Sequence, residues 1–115
     1  MLYDAFDVVL VPFPFTDKTT VKKRPAMVLS SARFQHEHQH LTLAMITTAG
    51  HSAWACDVPL GNWVAAGLNA PSIFRLKVFT LDSMFIIKKL GCIADSDRPA
   101  IQEAFTRYFR QLYQG

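Results

Sequence analysis

The sequence predicts a mainly β domain, a small barrel or roll with one helix at its C-terminus. Two patterns carry this reading. Short β-branched runs, separated by turn-forming clusters, recur at roughly ten-residue spacing up to about residue 93. Beyond residue 95 the apolar period changes to that of an amphipathic helix. The chain has 115 residues and half of them are apolar, which suits one domain over residues 1–115 with a single core.

The first strand is expected over residues 7–11, where Asp7-Val8-Val9-Leu10-Val11 reads as buried on both sides. Pro12 and Pro14 force an extended exit, because proline removes ladder donors and restricts the residue before it. Residues 16–23 are polar and predict a loop. A second strand follows over 24–31 with Pro25 at its edge, then a second polar loop over 31–40. "LTLAMITT" predicts a third strand over 41–48, stopped by Ala49-Gly50, and "ACDVPL" a short fourth over 55–60. "GNWVAAGLNAP" is a compact connection. "SIFRLKVFTL" alternates over 72–81, so Ile73, Arg75, Lys77 and Phe79 face one way and Phe74, Leu76, Val78 and Thr80 the other. "FIIKKLGCI" predicts a last strand over 85–93, kinked at Gly91. Ile101, Ala104, Phe105, Tyr108, Phe109 and Leu112 then recur at helical spacing, with Asp95, Ser96 or Asp97 as N-cap and Pro99 in the first turn.

Charged residues are 18% of the chain and the formal net charge is +3, a mild excess that permits a polyanionic partner without requiring one. The distribution is more informative. Lys18, Lys22, Lys23, Arg24 and Arg33 form one cluster and Arg75, Lys77, Lys88 and Lys89 another, two groups that folding can merge into one anion-attracting face. Cys56 and Cys92 lie in apolar stretches without a CxxC pair, so buried thiols in a reducing compartment are expected. The N-terminus lacks the positive start of a signal peptide, and the apolar run Val8 to Phe15 is too short and proline-broken to span a bilayer. A cytoplasmic protein with no membrane association is the expectation.

"DVVLVPFPFTD", "KRPAMVLSS", "AMITT", "SIFRLKVFTLD" and "LGCIADSD" before a helix, in that order, resemble the MazF/PemK toxin family and its PemK-like branch. The likeness runs from Asp7 to about Tyr113. It implies an SH3-like β-barrel with a C-terminal helix, usually a homodimer. It also implies a type II toxin that cuts single-stranded mRNA at short sequences without metal or cofactor, and whose partner is a cognate antitoxin. In such systems the antitoxin's disordered tail folds over the RNA groove, and the pair binds DNA.

The family's catalytic arginine belongs to an RP motif, here Arg24-Pro25. The chemistry suits that residue. RNA carries its own nucleophile, the 2′-OH, so the protein must orient it and stabilise charge on the phosphoryl oxygens. A guanidinium is permanently charged, with donors spaced for two phosphate oxygens. The competing reading of Arg24 is a solvated charge at a loop end. The family's threonine at the end of the third strand matches Thr47, with Thr48 beside it; either can instead be a β-branched residue favoured in strands. Arg75 matches an arginine that is catalytic or RNA-binding in some relatives, whereas Lys77 stands where those relatives can carry an aspartate, a candidate base. Both also suit an exposed strand face.

Lys18, Lys22 and Lys23, in a loop "TDKTTVKK" that lacks the glutamate-glutamine pair frequent in the family, and Lys77 are expected to hold RNA phosphates. "HEHQH" would place His36, His38 and His40 on one face if extended, but without cysteine or a second acidic cluster no metal site is expected. His51 is the histidine better placed for acid–base work. Trp54 and Trp63 offer rings for stacking bases, against the commoner use of tryptophan in core or subunit packing. Two non-nuclease alternatives share the fold: a CcdB-like gyrase-binding toxin, whose Trp-Gly-Ile C-terminus is replaced here by Leu112-Tyr113-Gln114-Gly115, and an inactive RNA binder.

Overall fold

The computed structural model describes residues 1–13, 22–50 and 53–113. Lys18, His51 and Gln114-Gly115 lie outside the described residues. Six strands run β1 (Asp7–Phe13), β2 (Lys22–Val28), β3 (His40–Thr48), β4 (Val58–Pro59), β5 (Ser72–Asp82) and β6 (Lys88–Cys92). Helix α1 (Ala32–His38) lies between β2 and β3, and α2 (Arg98–Tyr108) follows β6. The strands form one curled antiparallel sheet, a half-barrel ordered β4-β5-β3-β2-β1-β6, with α2 as the C-terminal helix. The mainly β architecture with a terminal helix is therefore the one the sequence predicts.

Side chains alternate across the sheet and build a core on each face. Val9, Val11, Ala26, Val28, Leu41 and Leu43 occupy the first face with Tyr3 and Leu81. Val8, Met27, Ala44, Ile46 and Phe74 occupy the second, packed against Ile101 and Ala104 of α2 and against Leu60 and Ala66. Each fully buried side chain of the Leu, Ile, Phe or Met type contributes about 1.5–3 kcal/mol by leaving water. Proline fits both strands because the ladder stops beside it. Pro12 lies beyond Leu10, the last β1 residue paired with β6, and Pro25 lies just outside the β2–β3 ladder, which runs from Ala26 to Val28.

Several boundaries differ from expectation. The polar segment after Ser31 is a helix rather than a loop. Ser31 caps it by accepting from the Phe34 N–H at 3.2 Å. Its buried residue is polar: Gln35 accepts from the Tyr3 N–H at 2.8 Å and donates to the Met1 carbonyl at 3.0 Å. His36 and His38 are thus helical while His40 opens β3, so the extended array imagined for them does not form. The fourth strand shrinks to two residues because Trp54 and Asp57 close a turn before it. The last strand starts at Lys88, after a 3-10 turn over Ser83–Phe85. Helix α2 ends at Tyr108, leaving Leu112 exposed beyond it. Asp97 occupies its N-cap position, but its carboxylate accepts from the Gly61 and Asn62 N–H groups instead of capping the helix. Neither cysteine is buried: Cys56 is half-buried at the turn and Cys92 is exposed at the end of β6.

Gly91 marks the kink anticipated in β6. The register with β1 shifts there, and an added Cβ would stand 2.7 Å from the Ala65 carbonyl oxygen. Among the described residues no helix is long and apolar enough to cross a membrane.

Candidate functional site

The first sheet face, apolar in its middle, turns cationic at one end. Lys22, Arg24, Ala26 and Val28 alternate onto this face along β2, with Arg24 opposite Val11 of β1. Extending the β2–β3 register outward from Ala26–Met45 brings Arg24 opposite Thr47. Thr47 in turn pairs with Ile73 of β5. Between Ala44–Val78 and Ile46–Phe74 the register shifts, leaving Arg75, Leu76 and Lys77 opposite Met45 alone. This bulge adds an even number of residues, so the predicted alternation survives and Arg75 and Lys77 both face the side of Thr47.

The result is a shallow depression of about 170 Å³ lined by Phe13, Arg24, Met45, Ile46, Thr47, Arg75 and Lys77. It therefore brings together Arg24, Thr47, Arg75 and Lys77 from three strands. Lys22 shares their face by alternation, whereas Lys23 and Thr48 alternate onto the opposite one. Lys88 and Lys89 do not join the depression; Lys89 is bound to Asp7 at 3.2 Å. Among the described residues no group of three potential metal ligands occurs. A larger groove of about 470 Å³ lies between α2 and the second face, but Phe6, Met27, Leu29, Ile101 and Phe105 make it mainly apolar, and among the described residues no charged side chain lines it.

The two arginines of the depression differ in state. Arg75 is clamped: Nε donates to Asp57 Oδ1 at 3.0 Å and Nη2 to Oδ2 at 2.9 Å, with the two side chains only 12% and 8% exposed. The hydrogen bond to Asp57 raises the Arg75 pKa above its ordinary value, and the same bond lowers that of Asp57 despite burial. Asp57 Oδ2 also accepts from the Trp54 N–H at 2.9 Å, and the Trp54 ring centroid lies 5.1 Å from Arg75 Cζ. Asp57 was not among the residues singled out in the sequence. A lone carboxylate in a short apolar run gives no local signal that it will meet an arginine eighteen positions away.

Arg24 is exposed and makes no side-chain hydrogen bond or ion pair among the described residues. It is thus the guanidinium available to an incoming anion. Thr47 is half-buried beside it, with a hydroxyl able to donate to the same anion. Lys77 adds a third cation, its Nζ 5.5 Å from the Phe13 ring centroid. No carboxylate or imidazole lines the depression among the described residues. The arrangement can bind a phosphate diester and steady charge that grows on it.

A family model described as "PemK-like, MazF-like toxin of type II toxin-antitoxin system" matches residues 4–109. Solved structures of the same shape include a MazF from Deinococcus radiodurans, with TM-score 0.73, 16% identity and coverage of 96% of this chain and 98% of that one. The Mycobacterium tuberculosis toxin MazF-mt6 aligns with TM-score 0.68 at 24% identity, over 90% and 96% of the two chains. A mycobacterial endoribonuclease solved with its cognate antitoxin aligns with TM-score 0.71 at 12% identity, over 95% and 94%. These likenesses establish the fold. No curated protein sequence matches the chain.

Proposed function

Because the chain belongs to the PemK-like, MazF-like toxin family of type II toxin–antitoxin systems, we propose that it is an endoribonuclease that cuts single-stranded mRNA in the cytoplasm, using the substrate's own 2′-OH. The observation that carries this reading is the pairing of an uncommitted Arg24 with Thr47 in a depression whose other arginine is held by Asp57.

O2′ bonds to the adjacent phosphorus and the 2′-OH loses its proton. The P–O5′ bond breaks and O5′ gains a proton, giving a 2′,3′-cyclic phosphate and a 5′-OH. Arg24 aims two parallel donors at the non-bridging oxygens, and the Thr47 hydroxyl donates a further hydrogen bond as their charge grows. Arg24 acts by its fixed charge, since a guanidinium does not give up its proton at ordinary pH. Lys77 and Lys22 hold neighbouring phosphates, while Arg75, neutralised by Asp57, shapes the wall of the site. The RNA is expected to lie across a homodimer, and a cognate antitoxin is expected to cover the same cationic end of the sheet.

Purified protein incubated with a long RNA in EDTA should yield fragments with cyclic-phosphate and 5′-OH ends, and Arg24→Ala should abolish them while retaining the wild-type circular dichroism. Undiminished cutting by that variant would falsify the assignment of Arg24. A gel shift of labelled RNA by the wild type without cleavage would replace the nuclease reading with that of an RNA binder.

A further inference from the structure

The Arg75–Asp57 clamp leaves one feature that phosphate chemistry does not use. Trp54 is 43% exposed although its ring stacks on the Arg75 guanidinium. An indole usually sheds that much water contact into a core, as Trp63 does in packing against the second-face core. Trp54 is instead held outside at a fixed place. Its backbone N–H donates to Asp57 Oδ2, the Asp57 backbone N–H donates back to the Trp54 carbonyl at 3.0 Å, and Arg75 lies against the ring.

Arg75 also lines the depression that contains Arg24 and Thr47. One guanidinium therefore touches both the proposed phosphate site and the underside of an exposed aromatic ring. We infer that Trp54 is a stacking platform for one nucleobase of the bound RNA strand, adjacent to the scissile phosphate. The inference rests on the RNA-cleaving reading above and adds to it a site for a base.

The physical grounds are three. A strand whose phosphate sits against Arg24 and Thr47 carries its neighbouring bases past the Arg75 wall of the depression, and Trp54 is the exposed ring resting on that arginine. Stacking accepts any base, since every base presents a π face, and is worth roughly 1–3 kcal/mol by alanine substitution. The turn fixes the Trp54 backbone and Arg75 lies against the ring before RNA arrives, so less ordering opposes binding.

The test uses a mixed-sequence 2′-O-methyl RNA 12-mer, which lacks the nucleophile and is not cut. Its binding should quench the tryptophan emission of the wild type. Trp54→Phe should remove the quench while binding within about threefold of wild type, because a phenyl ring still stacks. Trp54→Ala should weaken binding roughly 5- to 150-fold, the range that corresponds to the loss of one stacked base. With a cleavable RNA, the loss in Trp54→Ala should fall on KM more than on kcat.

Bound oligonucleotide with unchanged wild-type emission overturns the platform, as does wild-type affinity in Trp54→Ala. So does a fall in molecular mass of Trp54→Ala in sedimentation at unchanged RNA affinity, which would make the ring a subunit contact. All three leave the nuclease reading standing. A wild type that neither binds nor cuts RNA would instead remove the nuclease reading, and the platform with it.

Discussion

Arg75 and Asp57 meet at two points, through Nε–Oδ1 at 3.0 Å and Nη2–Oδ2 at 2.9 Å, in a setting largely closed to water. The pair ties β5 to the turn that precedes β4, and so decides which arginine of the site stays available. Removing one partner of such a pair strands the other charge. Asp57→Ala is therefore expected to destabilise the fold by about 3–5 kcal/mol, read from urea unfolding with an unchanged m-value. The double replacement Arg75→Met with Asp57→Leu should cost clearly less than the sum of the single changes.

The same pair sets a pH dependence. The Asp57 pKa lies below its ordinary 3.8 in the folded state, because Arg75 hydrogen-bonds its charged form. Between the folded and unfolded values the unfolded chain binds more protons, so stability falls as pH falls. The clamp's contribution should thus be complete well above pH 3.8 and be lost as pH drops below it. Subtracting the stability of Asp57→Asn from that of wild type across pH 2.5–7 isolates this component; a flat difference down to the acid limit would contradict it.

Thr47 acts through one hydroxyl. Thr47→Ala should slow single-turnover cleavage by roughly 10²–10³, the usual loss for one donor to developing charge. Thr47→Ser keeps the hydroxyl and should recover most of the rate, whereas Thr47→Val should behave like alanine.

The two β2 lysines should differ because the strand alternates. Lys77→Ala and Lys22→Ala, on the face of Arg24, should each lower the slope of log affinity against log salt by about 0.7 for a single strand. Lys23→Ala, on the opposite face, should leave the slope near wild type. Filter binding between 50 and 300 mM salt would compare them, and equal effects would mean that RNA wraps both faces.

Two glycines separate backbone strain from collision. Gly67 has φ +79° and an added Cβ would stand 2.1 Å from the Leu90 carbonyl oxygen; Gly50 has φ +100° with nothing within 4 Å among the described residues. Gly50→Ala should cost about 1–2 kcal/mol for the left-handed backbone alone. Gly67→Ala adds displacement of β6 and should lower the melting temperature by distinctly more.

Local sequence pattern suffices for the elements whose signal lies in a few neighbouring residues. Strands β1 and β3 are short apolar runs rich in β-branched residues and β5 alternates every two residues, signals contained in a few neighbouring positions, and the spacing of Ile101, Ala104 and Phe105 shows α2 in the same way. Helix α1 escaped because "ARFQHEH" buries Gln35 rather than an apolar stripe. Its support comes from Ser31 at its start and from Met1 and Tyr3, more than thirty residues away.

Arg24, Thr47 and Arg75 could be nominated by residue type and motif, and alternation correctly assigned Arg75 and Lys77 to one side of β5. Their meeting in one depression depends on the β2–β3 register and on a bulge that shifts it by an even number. Neither is encoded near any of the three residues, because register is a property of paired strands. The sequence by itself therefore determined the strands, the terminal helix and which cations were candidates. Only the tertiary structure decided that Asp57 commits Arg75 and leaves Arg24 for an anion, since a carboxylate selects its arginine through distance and burial in the folded chain.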